Sequence, residues 1–116
     1  MSSSTREWNL RLESAKTLAS SFDTLEVSLE RLEKMAIVIA CSSVTDNTGS
    51  FVLQVAIGNS GWINITSIPA MTLANAAATF LVDPFESACE KFRVKFTAAG
   101  GTPDGTVTID VNCKGW

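Results

Sequence analysis

The feature that most constrains this chain is the alternation of apolar and polar residues towards its carboxyl end. Every second residue is apolar in residues 92–96 (FRVKF), and the same rhythm returns in residues 106–113 (TVTIDVNC) after a glycine-rich segment. Successive side chains of a β-strand point to opposite faces, so a period of two is typical of strands that bury one face. The two runs predict a closing β-hairpin with one face in a core.

Similar runs occupy the middle of the chain. Residues 36–41 (AIVIAC) are apolar on both faces and predict a central strand. Residues 51–58 (FVLQVAIG), 62–66 (WINIT) and 78–83 (ATFLVD) predict further strands. Turn-forming residues separate these runs: Asp46, Asn47, Gly49, Asn59, Ser60, Gly61 and Pro84.

This pattern predicts an all-β fold, a β-sandwich or jelly roll of about eight short antiparallel strands. A chain of 116 residues has the length of one domain. We therefore expect residues 6–116 to form a single β-sandwich domain and residues 1–5 to form a flexible N-terminal tail.

Residues 6–35 fit two patterns. Residues 8–13 and 25–30 alternate, which favours strands, whereas "SLERLEKM" is rich in helix-forming residues. The apolar residues of the region also fall on a heptad, which would permit a trimeric helical stalk: Ala15, Leu18, Phe22, Leu25, Leu29, Leu32 and Ala36. The residues alone leave strands and a short N-terminal helix open.

Charge and hydropathy exclude two classes of partner. The net charge is -3, and a nucleic-acid-binding protein would carry a clustered basic face, so we expect no nucleic-acid partner. No apolar run approaches the ~20 residues that span a bilayer, so we expect no membrane association. Residues 1–7 (MSSSTRE) lack the apolar stretch of a signal peptide, which predicts synthesis and folding in a cytoplasm.

The residues that usually carry catalysis are missing or isolated. The chain has no histidine and no tyrosine, and its serines lack a nucleophile-elbow context, so we expect a protein that is not an enzyme. Asp104-Gly105 lacks the ligand spacing of a calcium loop and predicts a turn. Three widely spaced cysteines predict structural thiols, with no metal and no cofactor: Cys41, Cys89 and Cys113.

Large aromatic residues are the best candidates for an interface. We expect Trp8, Trp62, Trp116 and Phe96 to supply apolar contacts, either in the core or against a partner. Trp62 with nearby asparagines is also a candidate platform for stacking a sugar. Across the predicted hairpin, Arg93 and Lys95 are expected to pair with Asp110.

The order of these features resembles a group of small all-β virion structural proteins of tailed bacteriophages. The likeness covers about four-fifths of the chain and includes no catalytic motif. It lies in Leu29 with "MAIVIA", in residues 48–55 (TGSFVLQV), 59–65 (NSGWINI), 92–97 (FRVKFT) and 105–109 (GTVTI), and in Lys114-Gly115. Where those proteins have an aspartate in the turn before the tryptophan, this chain has Ser60.

The resemblance implies a β-sandwich and favours strands over a helix in residues 22–36. It also implies a virion component made in the cytoplasm of a bacterial host. Capsid decoration is the favoured role, with a tail or head-fibre component as the alternative. The expected partners are further copies of the chain, in a homo-oligomer for which a trimer is one candidate, and the major capsid or tail proteins. A carbohydrate-binding module for the host surface is the rival from another class.

Overall fold

The computed structural model describes residues 6–28, 32–85 and 90–115, which form ten strands and no helix. The longer strands are β1 (Arg6–Thr17), β4 (Leu32–Ser42), β5 (Ser50–Ala56), β8 (Ala78–Phe85), β9 (Lys91–Thr97) and β10 (Thr106–Gly115). The two-residue strands are β2 (Phe22–Asp23), β3 (Val27–Ser28), β6 (Ile63–Asn64) and β7 (Met71–Thr72). All pairings are antiparallel and form two sheets, so the predicted all-β sandwich is confirmed.

The first sheet has four long strands in the order β1-β10-β4-β8. β10 lies between β1 and β4, with Val111 opposite both Leu10 and Ile37. The predicted central strand in residues 36–41 is therefore confirmed, because β4 pairs on one side with β10 and on the other with β8.

The second sheet has six strands, two of them long. β9 and β5 pair along their length, with Leu53 opposite Val94. The four short strands flank this pair: β2 and β3 lie beside β9, and β6 and β7 lie beside β5. The predicted strand pair of residues 51–58 and 62–66 is confirmed, since Gln54 of β5 faces Asn64 of β6.

The core lies between the two sheets. Among the side chains that the structure describes, the inward residues of the long strands are buried or partly buried, as their alternation predicts. Phe51 joins the layers, because its ring centre lies 6.3 Å from that of Phe80 in the other sheet and 4.6 Å from that of Phe96 beside it. Full burial of one such side chain contributes about 2–3 kcal/mol to folding.

The predicted closing hairpin is wrong. β9 belongs to the six-stranded sheet and β10 to the four-stranded sheet, so residues 98–105 cross from one layer to the other. The alternation of each strand reports a buried face and does not report its neighbour in the sheet. The connection of eight residues is also longer than the two-residue turn that most commonly joins the paired strands of a hairpin.

The helical alternative for residues 6–35 is also wrong within the described residues. β1 pairs with β10 from Arg6 to Thr17, and two register shifts interrupt the ladder. Leu25, a heptad position, is exposed, whereas Val27 is buried. Pairing with β10 and β9 satisfies the backbone of residues whose side chains are poor helix formers.

The edges of both sheets are protected against further pairing. β1 carries two irregularities and a positive φ at Ala15, and β8 contains Pro84, which cannot donate a ladder hydrogen bond. The edges of the six-stranded sheet consist of two-residue strands. Short, bulged or proline-containing edges disfavour association through added strands.

Candidate functional site

One candidate surface is the outside of the six-stranded sheet, which we call the tryptophan face: Asp23, Gln54, Trp62, Asn64 and Arg93. A chain of polar contacts crosses it from strand to strand. Gln54 donates to Asn64 Oδ1 over 2.9 Å, and Arg93 Nε donates to Gln54 Oε1 over 2.9 Å. Arg93 Nη1 lies 3.4 Å from Asp23 Oδ2. The alternation of β5, β6 and β9 places these side chains outward and in line.

Trp62 completes the tryptophan face. The Arg93 guanidinium lies 4.3 Å from the centre of the indole, and Lys91 Nζ lies 5.6 Å from it. A cation at this distance is attracted to the negative face of an aromatic ring. Arg93 is thus held by an amide, a carboxylate and a ring at once, and its side chain is only 18% exposed.

A cleft adjoins the tryptophan face. It has a volume of about 610 Å³, and Glu26, Ser28, Glu90 and Lys91 line it. Lys91 Nζ lies 3.2 Å from Glu26 Oε1, and Glu90 Oε1 accepts a hydrogen bond of 2.7 Å from the backbone of Gly58. Lys91 lines the cleft and also contacts Trp62, so the cleft lies directly beside the tryptophan face.

The second candidate surface is the outside of the four-stranded sheet, which we call the apolar face: Ala36, Val38, Ala40 and Leu81. Val38 and Leu81 are partners across β4 and β8 and are 39% and 62% exposed. On the other side of Val38, its partner across the sheet is Asp110 of β10. The Oδ1 atom of Asp110 lies 2.8 Å from Arg11 Nε. Beyond Leu81 the face continues into an apolar groove lined by Ile68, Pro69 and Met71.

At one end of the sandwich, polar side chains join three connections; we call this set the loop clamp: Thr45, Asp46, Asn47 and Asp104. Asp104 accepts hydrogen bonds from the backbone of Thr45 and Asp46 and from the Thr45 hydroxyl. These bonds, the Thr45 hydroxyl first, hold the pKa of Asp104 below its usual range. Asp46 accepts from the backbone of Gly101 and Thr102. The loop clamp has a structural role, and the prediction of a turn at Asp104-Gly105 identified one member of it.

The four predicted interface aromatics lie in different environments. Trp62 is half-buried on the tryptophan face, whereas Phe96 is fully buried in the core, where its contacts lie within the chain. Trp8 pairs with Cys113 in the β1–β10 ladder, and its side chain lies outside the described part of the chain. Trp116 also lies outside the described residues.

The predicted pairing of Arg93 and Lys95 with Asp110 is wrong. Both cations lie near Asp23, at 3.4 and 3.7 Å, because β9 is beside β2. Asp110 instead binds Arg11 through two contacts, at 2.8 and 3.2 Å, because β10 is beside β1. Since the closing hairpin does not form, its expected cross-strand ion pairs do not form either.

The thiols and acidic groups show no reactive arrangement within the described ranges. Cys41 and Cys113 are buried, and burial raises the pKa of both thiols, that of Cys41 to about 11. Cys89 lies outside the described residues. Across residues 6–28, 32–85 and 90–115, no cluster of three cysteine, aspartate or glutamate side chains could hold a metal ion. Nor do these ranges contain a helix long and apolar enough to cross a membrane.

The fold defines the chain as a two-layer antiparallel β-sandwich, and solved structures share it. A scan with protein-family models gives no match, and a search of curated proteins also gives none. The SPBc2 prophage-derived protein YomS matches with a TM-score of 0.59 and 13% identity, over 98% of this chain and 97% of that one.

Two further structures have the same fold. A chain of the infectious bursal disease virus Gx strain structure matches with a TM-score of 0.58 and 10% identity, over 97% of this chain and 32% of the viral one. The chain of the disulfide-linked Bacillus endospore appendage pili matches with a TM-score of 0.50 and 11% identity, over 96% and 87%. At these identities the likeness establishes the architecture that the chains share.

Proposed function

We propose that this protein is a non-enzymatic structural subunit of a tailed-bacteriophage particle, and specifically a capsid decoration protein that self-associates and docks on the particle. The likeness to a prophage-derived protein over nearly the full length of both chains supports a phage origin. A virus structure among the matches supports the use of this sandwich as a building block of particles. The order of sequence features resembles that of small phage virion proteins, which supports the same role.

The observation that carries the proposal is the apolar face. Val38 and Leu81 are adjacent on two strands and both are exposed, so together they form a continuous apolar patch. Ala36 and Ala40 flank Val38 and keep the surface flat enough for another sheet or a lattice surface to approach. Exposed apolar groups that adjoin one another mark interaction surfaces more strongly than isolated ones do.

Association through the apolar face is consistent with the protection of the sheet edges against added strands. The edge strands are short, bulged or interrupted by proline, which leaves the faces as the surfaces open to contact. The whole outer side of the four-stranded sheet, of which the apolar face is the β4–β8 part, measures roughly 600 Å², somewhat below the ~800 Å² per partner of a standard interface. We therefore expect weak association of free copies and firm attachment where many copies bind one lattice.

The test is the composition of particles from the bacterium that carries this gene. After induction and purification of the particles, quantitative mass spectrometry should find this chain in a fixed ratio of about one copy per capsid subunit or per capsomer. A few copies per particle would instead assign it to the tail or to a head fibre. Its absence from purified particles would overturn the proposal.

A pair of matched variants tests the surface. Leu81→Ser removes the most exposed member of the apolar face, and Leu25→Ser removes a 69% exposed leucine from the connection between β2 and β3. Leu81→Ser should lower occupancy on particles at least about tenfold, whereas Leu25→Ser should leave it unchanged. Equal effects of the two variants would show that the apolar face is not the docking surface.

A further inference from the structure

We infer that the tryptophan face and the adjoining cleft bind a neutral carbohydrate. The inference concerns a different face of the molecule from the proposed docking surface and does not depend on the proposed function. It is carried by three observations: the organisation of the polar side chains, the balance of charge around them, and the aromatic ring beside an open cleft.

The polar side chains are organised beyond what a sheet surface requires. Gln54 is only 8% exposed, yet both ends of its amide are used, one to hold Arg93 and one to hold Asn64. A buried amide without partners is costly, so its position depends on this network. Val52, two residues earlier on the same strand and face, is apolar, so this face of β5 does not require a polar side chain at every outward position. The network fixes Asn64 and Arg93 in place before any ligand arrives, which lowers the entropic cost of binding.

The charges on this side of the molecule are matched. The three cations of β9, which are Lys91, Arg93 and Lys95, are balanced by three carboxylates: Glu26 and Asp23, which lie 3.2 to 3.7 Å from them, and Glu90, which lines the cleft beside Lys91. A surface whose cations are already neutralised offers little to a nucleic acid or a polyanion. It offers hydrogen-bond donors and acceptors to a ligand that carries both and has no net charge.

The remaining donors and acceptors suit hydroxyl groups. Among the described residues, the guanidinium of Arg93 makes its contacts through Nε and Nη1, and Asn64 makes its contact through Oδ1. Arg93 Nη2 and Asn64 Nδ2 are therefore available as donors, and the carboxylates of Glu26 and Glu90 in the cleft are available as acceptors.

The ring and the cleft supply shape. Trp62 is half-buried and fixed by Arg93, so the exposed part of its indole is a rigid apolar surface. The cleft of about 610 Å³ beside Lys91 lies within the usual range for small-ligand sites. A sugar combines an apolar ring surface with hydroxyl groups, and the site presents a partner for each.

The experiment is a titration followed by two-dimensional NMR, with the Trp62 indole signal assigned through Trp62→Phe. The probes are oligosaccharides of glucose, galactose, mannose and N-acetylglucosamine, with oligosaccharides of galacturonic acid and sialic acid as the anionic set. We expect saturable shifts of the Trp62 indole and Asn64 amide signals with at least one neutral probe. The absence of saturable shifts with every neutral probe at millimolar concentration, or saturation by anionic probes alone, would overturn the inference.

Variants separate binding from stability. Asn64→Ala should weaken binding of the responding probe at least about tenfold. Because it also removes the acceptor of the buried Gln54 amide, it should lower the unfolding temperature by several degrees, and binding is therefore measured well below that temperature. Asn112→Ala, on the outer face of the other sheet, is the matched control and should bind normally. Particles carrying Asn64→Ala should keep full occupancy, so a failure of sugar binding and a failure of particle docking are distinguishable. Normal binding by Asn64→Ala would contradict the assignment of the site.

Discussion

The buried side-chain amide of Asn47 donates a hydrogen bond of 3.0 Å to the carbonyl oxygen of Leu18. The same nitrogen donates to the carbonyl oxygen of Asp104 over 3.0 Å, while Asn47 Oδ1 accepts from the backbone of Gly49 over 2.8 Å. One residue therefore ties together the β1–β2, β4–β5 and β9–β10 connections. These three segments are far apart in sequence, and the loop clamp holds them as one end of the sandwich.

Replacing Asn47 should destabilise the protein strongly. Asn47→Ala leaves two carbonyl oxygens and one backbone N–H without their partner in a buried position, and we expect a loss of about 3 kcal/mol. Urea unfolding followed by fluorescence measures it. Thr48→Ala, an exposed neighbour, is the control and should stay within about 0.5 kcal/mol. A similar effect of both variants would show that the hydrogen bonds of Asn47 are not decisive.

Stability should fall in acid because of Asp104. Hydrogen bonds from Thr45 and from backbone N–H groups depress the pKa of Asp104 in the folded state. The stability that its carboxylate contributes is therefore present above the ordinary aspartate pKa of about 3.9 and is lost as the pH falls through the depressed value.

Melting temperatures measured from pH 7 to pH 2 check this. Below about pH 4, the melting temperature of the parent should fall further than that of Asp104→Asn, because the variant has no carboxylate to titrate at this position. Asp110→Asn provides a comparison at an aspartate outside the loop clamp. Parallel curves for the parent and Asp104→Asn would contradict the assigned role.

Gly49 should tolerate no side chain. A Cβ at this position would lie 2.5 Å from the carbonyl oxygen of Thr97 and 2.6 Å from the ring of Phe96. Both are fixed, one by the backbone and the other by the core, so Gly49→Ala should cost about 3 kcal/mol. Differential scanning calorimetry measures the loss. Ser50→Ala, which adds no bulk at the next position, should cost much less, and equal melting temperatures for Gly49→Ala and the parent would refute the close packing.

Cys41 and Cys113 should resist thiol reagents in the folded protein. Both are buried, and burial raises the pKa of each thiol, so the reactive thiolate is scarce at neutral pH. Peptide mapping after treatment with iodoacetamide should find these two residues unmodified in the native state and fully modified in urea. Rapid modification of either under native conditions would contradict their burial.

The alternation of apolar and polar residues predicts where the strands lie, but it does not predict which strands pair in the sheets. Alternate residues of β9 and β10 are buried as expected, because period-two spacing reports burial directly. In β5 the alternation holds through Leu53 and is interrupted at Gln54, which is buried although it faces outward. The same spacing predicted a hairpin between β9 and β10, which lie in different sheets. Pairing depends on contacts with β5 and β1, which are distant in the sequence and leave no mark on the local pattern.

The candidate site was predicted only in part. The sequence indicates Trp62 as an aromatic with polar neighbours, and Trp62 does lie on a polar face. Gln54 and Arg93 were not recognised as its companions, since their contact requires the register of three strands. The apolar face was missed because Val38 and Leu81 sit in runs that read as buried, and burial on both faces of β4 was expected.

The position of β10 has a consequence for folding. This strand lies between β1 and β4, although both of them, and β8 as well, leave the ribosome before it. The inner surface of the four-stranded layer therefore stays open until the last of the four strands is synthesised, and closing it requires pairing between residues about one hundred positions apart. Domains dominated by such distant pairings fold on the millisecond-to-second scale. A chain truncated before Thr106 would leave β1 and β4 with no common partner, and such a fragment should aggregate rather than fold.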